Sequence, residues 1–231
     1  MEAAGPTTVL AAVEHTLFGA RINLERRQAH FQAREAFLQT GFVGENYFRL
    51  KQRDFVRTAA DVAAKQAELS GAVRNFNYAF GATAPGRRYL DRVERLVSGG
   101  MQREAARTFI AEGNVVGAAE DAEVAARDPR VAAARDAMYE TVGKLEKTAG
   151  KFGSDFELLQ RNFPDKLDAG GIAEVVKAFE RIARETPRPV TEPGVSSDRT
   201  IDKRLAKMAD GIKELVEAVT RMIQSIFRPK A

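Results

Sequence analysis

Apolar residues recur along this chain at alternating three- and four-residue steps, the mark of one face of an α-helix. Leu10, Val13, Leu17, Ala20, Leu24, Phe31 and Leu38 form the first stripe, with Arg27 and Arg34 at its two skipped positions. Pro6 ahead of Thr7 and Thr8 suits a helix start, because the first turn has no use for the N–H that proline lacks. The pattern predicts a helix of about 30 residues that stops near Gly41 and Gly44. A second stripe, Phe48, Phe55, Val62, Leu69, Val73, Phe76 and Phe80, is interrupted only by Gln66 and predicts a helix over 45–80 stopped by Gly81. Two such helices joined by a glycine-bearing turn are expected to form a long antiparallel hairpin over 1–82, since neither is stable without burying its stripe.

The middle, 83–186, reads as a compact multi-helix bundle. Pro85 opens a short helix carrying Tyr89, Leu90, Val93, Leu96 and Val97, closed by Gly99-Gly100. A helix over 101–112 turns Ala105, Phe109 and Ile110 inward, and an alanine-rich acidic stretch follows over 118–127. Asp128-Pro129 is a cap-and-proline start for a helix with Val131, Met138, Val142 and Leu145, predicted to end near Gly150 and Gly153. Ser154 and Glu157 have capping-box spacing, so a further short helix should begin there and cover Phe156, Leu158 and Leu159. Pro164 and Gly170-Gly171 bracket a turn before an amphipathic helix over 172–184, with Val175, Val176, Phe179 and Ile182.

Residues 187–199 read as a linker: the eleven positions 187–197 hold three prolines, a glycine and two serines. The final segment, 200–231, has the most regular pattern. Ile201, Leu205, Met208, Ile212, Leu215, Val219, Met222 and Ile226 keep strict four-three alternation, weakened only by Gly211. It predicts a coiled-coil-like helix followed by a basic tail with Arg228 and Lys230. This stripe either folds back onto the body or is the partner-binding face. The fold class is therefore all-α, with no strand pattern and no repeat of twenty to fifty residues.

Composition agrees with that reading and narrows the chemistry. Of 231 residues, 44% are hydrophobic and 29% charged, too apolar for general disorder. The absence of Cys excludes disulfides, thiolate catalysis and sulfur-bound zinc, and makes a reducing, cytoplasmic setting the expectation. The start Met1-Glu2-Ala3-Ala4 lacks the basic start and apolar core of a secretory signal. Translocation by a dedicated secretion machine stays open. No membrane span is expected. His15 and His30 are the only histidines; about 22 Å apart along one helix, they share neither metal nor proton. No phosphate loop, dinucleotide fingerprint or nucleophile elbow is present, and Glu120, Asp121 and Glu123 read as a solvated face. The expectation is a non-enzymatic protein with no cofactor and no metal.

A net charge of +4 suits acidic protein, anionic surfaces or nucleic acid alike. The basic positions to weigh are Arg26, Arg27, Arg34, Arg49, Arg53 and Arg57 on the first two helices and Arg87, Arg88, Arg92 and Arg95 on the third, besides the tail. With Phe31, Tyr47 and Phe48 interleaved they could contact phosphates and stack on bases, though Glu25, Glu35, Glu45 and Asp54 are mixed among them.

The pair Phe80-Gly81 after an amphipathic helix, the helix over 87–97, and the run Ala132-Ala133-Ala134-Arg135-Asp136-Ala137 opening a long helix carry one resemblance. Residues 69–152 resemble a BID domain, a helical module of substrates of bacterial type IV secretion systems, and a positively charged C-terminal tail also belongs to such substrates. The resemblance implies a four-helix bundle with basic patches that serves as a translocation signal in effectors and conjugative relaxases. The family's glycine- and lysine-rich turn before the last long helix is not evident here. The expected partner is thus a protein, either a secretion or conjugation component or a second copy. A nucleic-acid-binding accessory role is the rival.

Overall fold

A computed structural model describes residues 38–163, 169–196 and 199–227, and among them the structure is helix and connection only. Seven helices follow in order: α1 (Leu38–Ala82), α2 (Ala84–Ser98), α3 (Arg103–Ala111), α4 (Ala118–Ala126), α5 (Pro129–Asn162), α6 (Ala169–Glu185) and α7 (Ile201–Phe227). The stripe Leu10–Phe31 and the partner face it was expected to offer α1 lie outside the described residues. Gly41 and Gly44 do not stop a helix, as α1 runs through both. The chain forms two compact units, each assembled from separated segments. Unit 1 takes its described parts from 38–67, 144–186 and 205–227, and unit 2 comprises Glu68–Gly143 and Pro187–Arg204.

Unit 1 is organised around phenylalanine. Phe55 is fully buried, and its ring lies 4.7 Å from Phe152 and 5.8 Å from Phe156. Phe152 in turn meets Phe179 of α6 at 5.2 Å, so three helices share one aromatic cluster. Such pairs add to the transfer free energy of the buried rings. Phe48 sits edge-on to Phe163 at 5.1 Å. A polar contact joins the same interface: the buried Thr58 hydroxyl lies 2.8 Å from Asp155 Oδ2 and 2.9 Å from the Asp54 carbonyl, two acceptors for its single proton.

The helix expected to end near Gly150 and Gly153 continues to Asn162, and Ser154 caps nothing. Its Oγ donates back to the Gly150 carbonyl within α5. Gly153 is buried because α7 approaches it: a Cβ there would meet Leu215 Cδ2 at 3.5 Å and Ile212 Cδ1 at 3.6 Å. The glycine is a packing device, and contact offsets the roughly 1 kcal/mol that glycine costs a helix. Likewise Gly170 and Gly171 lie in the first turn of α6 and do not precede it.

Unit 2 starts at a tight helical corner. Thr83 caps α2, its Oγ1 accepting the Gly86 N–H at 2.9 Å, with Pro85 in the first turn. The corner closes so far that a Cβ on Gly86 would stand 2.0 Å from the Phe80 carbonyl oxygen, and only glycine fits. Phe80 packs edge-on against Tyr89 at 5.7 Å across this corner. α2 packs on α3 and α4, and α4 buries Ala118, Ala122, Ala125 and Ala126, small side chains that permit close approach of its neighbours. On α3 the buried residues are Ala106 and Ile110, while Ala105 faces out.

Candidate interaction surface

The last turns of α1 and the first turns of α5 wall a groove of about 490 Å³ in unit 2. Ala79, Ala82, Ala133, Ala134 and Ala137 supply its low, apolar part. Asn75, Tyr78, Thr83, Asp128 and Arg130 complete the lining. Asp128 is already engaged, its Oδ1 accepting the Arg130 N–H at 2.9 Å as the cap of α5. The Asn75 amide, the Tyr78 hydroxyl and the Arg130 guanidinium have no partner among the described residues. Tyr78 is 79% exposed, although Phe76 and Phe80 on the same helix are fully buried. The buried stripe of α1 hid this surface from sequence reading; the one signal was an aromatic residue out of phase with it.

Beside the groove's helices, Arg88 and Arg92 stand one turn apart on α2 and converge on Asp121 of α4. Arg88 donates from Nε at 3.0 Å and from Nη2 at 2.5 Å to Oδ1, and Arg92 Nη1 lies 2.9 Å from Oδ2, off the axis of a hydrogen bond. Asp121 is buried, and only Glu120 and Glu123 belong to the solvated face expected of this run. A buried carboxylate needs such partners, since stripping water from an unpaired charge is costly.

The segment expected to be a linker is held at four points by four helices. The Asn77 carboxamide donates to the Arg188 carbonyl at 3.0 Å and accepts the Val190 N–H at 2.8 Å. Arg107 Nη1 donates to the Pro189 carbonyl at 3.2 Å, and the Tyr89 hydroxyl is hydrogen-bonded to Thr191. The Tyr139 hydroxyl donates to Glu192 Oε1, which also accepts the Ile201 N–H at 3.0 Å and so caps α7 from outside. Arg188 pairs with Asp202 at 2.7 Å. Burial raises the Tyr139 hydroxyl far above its ordinary pKa, and the bond to Glu192 adds to this. Burial raises Tyr89 too, and lowers the Arg107 guanidinium.

The basic positions scatter. Arg49, Arg53 and Arg57 lie exposed at four-residue steps, one stripe along α1 in unit 1; Arg87 and Arg95 are exposed on α2 in unit 2. Arg88 and Arg92 are spent on Asp121. Phe48 is buried and cannot stack on a base. Arg26, Arg27, Arg34, Arg228, Lys230, His15 and His30 lie outside the described residues.

The C-terminal stripe is not free for a partner over its first half. Ile201, Leu205 and Ile212 are buried within the chain, and Met208 and Leu215 are half-buried. Ala209 and Val216 are buried beside them, so the covered face advances by about 3.6 residues per turn as in a straight helix, away from the strict heptad seam. The side chains of Val219, Met222 and Ile226 lie outside the described residues.

Among the described residues no group of three or more His, Cys, Asp or Glu could hold a metal, and no helix is long and apolar enough to cross a membrane. No family model matches the chain, and no curated protein or solved structure is significantly similar to it.

Proposed function

We propose that this chain is a non-enzymatic helical interaction module that works by protein–protein contact at the alanine-lined groove of unit 2. The observation that supports it is the composition of that groove: small side chains that let a helix or an apolar side chain approach closely, with Tyr78, Asn75 and Arg130 unengaged beside them. Tyrosine and arginine are the residues that most often anchor interfaces. A photo-reactive benzophenone side chain at the Tyr78 position tests this in the native cell. The reading expects a discrete protein adduct that disappears when Ala133→Arg fills the groove. Adducts no stronger than those from the exposed Val124 position would sink it.

The narrower role, a secretion- or conjugation-associated protein or translocated substrate, is proposed on the resemblance of 69–152 to the BID module and on the tail residues Arg228 and Lys230. A translocation assay with the chain fused to a reporter tests it, and retention of the fusion in the donor cell counts against it. Nucleic-acid binding is the second reading, favoured by the exposed Arg53 and Arg57, which have no ion-pair partner among the described residues. A phosphate-driven complex weakens steeply with salt, and an apolar groove contact does not.

A further inference from the structure

The groove beside Tyr78 lies between two helix faces. Its lining runs from Asn75 to Ala82 on α1 and from Arg130 to Ala137 on α5, about 10 Å or two turns on each. Two helices that meet over alanine leave room for a third, whose larger side chains fill the low floor. Apolar anchors at i, i+3 and i+7 of such a helix match that length. The rim sets the charge. Arg130 is unpartnered, and Arg74, next to Asn75 in the chain, is exposed without an ion pair among the described residues. Asp128, the one carboxylate of the lining, is engaged as the cap of α5. Such a groove fits an amphipathic helix that brings an acidic side chain and no basic one.

Two apolar stripes of the chain carry side chains outside the described residues. The stripe Val219, Met222 and Ile226 has Arg221 within it and ends on Arg228 and Lys230, so Arg130 repels it. Residues 6–20 are the opposite case. Leu10, Val13 and Leu17 have the required spacing, Glu14 stands beside them, and residues 1–20 hold two glutamates and no Lys or Arg. The seam on α1 that this stripe was expected to cover is already taken. Phe48 packs on Phe163, Phe55 on Phe152 and Phe156, and Phe80 on Tyr89.

We propose that the groove is the docking site for residues 6–20 of a second copy of this chain. The segment docks as a helix, with Leu10, Val13 and Leu17 over the alanines of α5 and Glu14 at Arg130. The proposal rests on the reading of this groove as a protein contact, and it names the partner. A copy's own groove is out of its segment's reach. Asn75 lies about 55 Å along α1 from Leu38, whereas residues 21–37, read as helix, span about 25 Å. Two copies that exchange segments about a two-fold axis fill both grooves and close the assembly.

The test uses the purified full chain with the benzophenone side chain at the Tyr78 position, mixed with isotope-labelled native chain. The expected result is a cross-linked dimer whose adduct maps to residues 6–20 of the labelled copy. Arg130→Glu or Glu14→Arg alone should lower its yield about fivefold or more, and the two together should restore it. The adduct map needs neither variant, so it decides alone should one of them fail to fold. An adduct within one chain, an adduct elsewhere on the second copy, or a yield that neither charge reversal lowers overturns the proposal. A cellular adduct to a different protein, with no dimer from the purified chain, removes this occupant and leaves the groove as a protein contact. No adduct in either setting removes both.

Discussion

Asn77 Oδ1 accepts the Val190 N–H at 2.8 Å, joining two residues 113 positions apart in the chain. The partner bond from the same carboxamide to Arg188 makes Asn77 a two-point hold on a segment that composition alone marks as a flexible tether. Asn77→Ala breaks both bonds and leaves a carbonyl and an amide in a half-buried place, at a cost of about 1–3 kcal/mol. Asn77→Asp keeps the acceptor and loses the donor, and should fall between Ala and the native residue. Chemical denaturation of the three proteins checks the order.

Phe55 lies in the centre of the aromatic cluster of unit 1 with no exposed surface. Phe55→Ala should cost about 3–5 kcal/mol, several times the effect of Leu50→Ala, whose side chain is 45% exposed. Melting curves separate the two, and equal melting temperatures would remove Phe55 from the core.

Gly86→Ala is the smallest change with a large expected effect. The added methyl meets the Phe80 carbonyl at 2.0 Å, so the corner between α1 and α2 must open. A loss of at least about 2 kcal/mol is expected, beyond the helix-propensity gain that alanine brings elsewhere. Gly71→Ala, with open space around it inside α1, should leave stability unchanged or raise it.

The same residues show how far a sequence carries. The stripe Phe48–Phe80 was legible because burial repeats with the helix period, and every one of its positions is buried. The C-terminal stripe was legible as a helix; its strict heptad phase was not, since Ala209 and Val216 replace Met208 and Leu215 in the deepest positions. Ser154 with Glu157 imitated a helix start because cap chemistry is local, whereas the reason Gly153 stays helical is Ile212 and Leu215, far along the chain. Asp121 looked solvated because Arg88 and Arg92 are about thirty positions away. Residues 187–197 read as a linker for the same reason. Proline and glycine report backbone freedom, and the groups that remove it, from Asn77 to Tyr139, belong to four other helices.

Alkaline pH should loosen that segment. The folded pKa of Tyr139 is raised above its ordinary value of 10.0, so the folded state holds the phenol proton more tightly than the unfolded chain. The stability this confers is complete below pH 10 and is lost as pH climbs through the folded value. Denaturation midpoints measured from pH 8 to 11 should fall on the alkaline side, and Tyr139→Phe should flatten part of that fall. An identical alkaline limb in the variant would contradict it.

Hydrogen exchange at the Val190 amide tests most directly the claim that residues 187–193 are a built part of unit 2. The structure predicts protection of this N–H well beyond that of an unstructured peptide, lost on Asn77→Ala, with protection around Phe55 in unit 1 unchanged. Exchange of Val190 at the random-coil rate in the native chain would contradict it, and would return the segment to the role of a free tether.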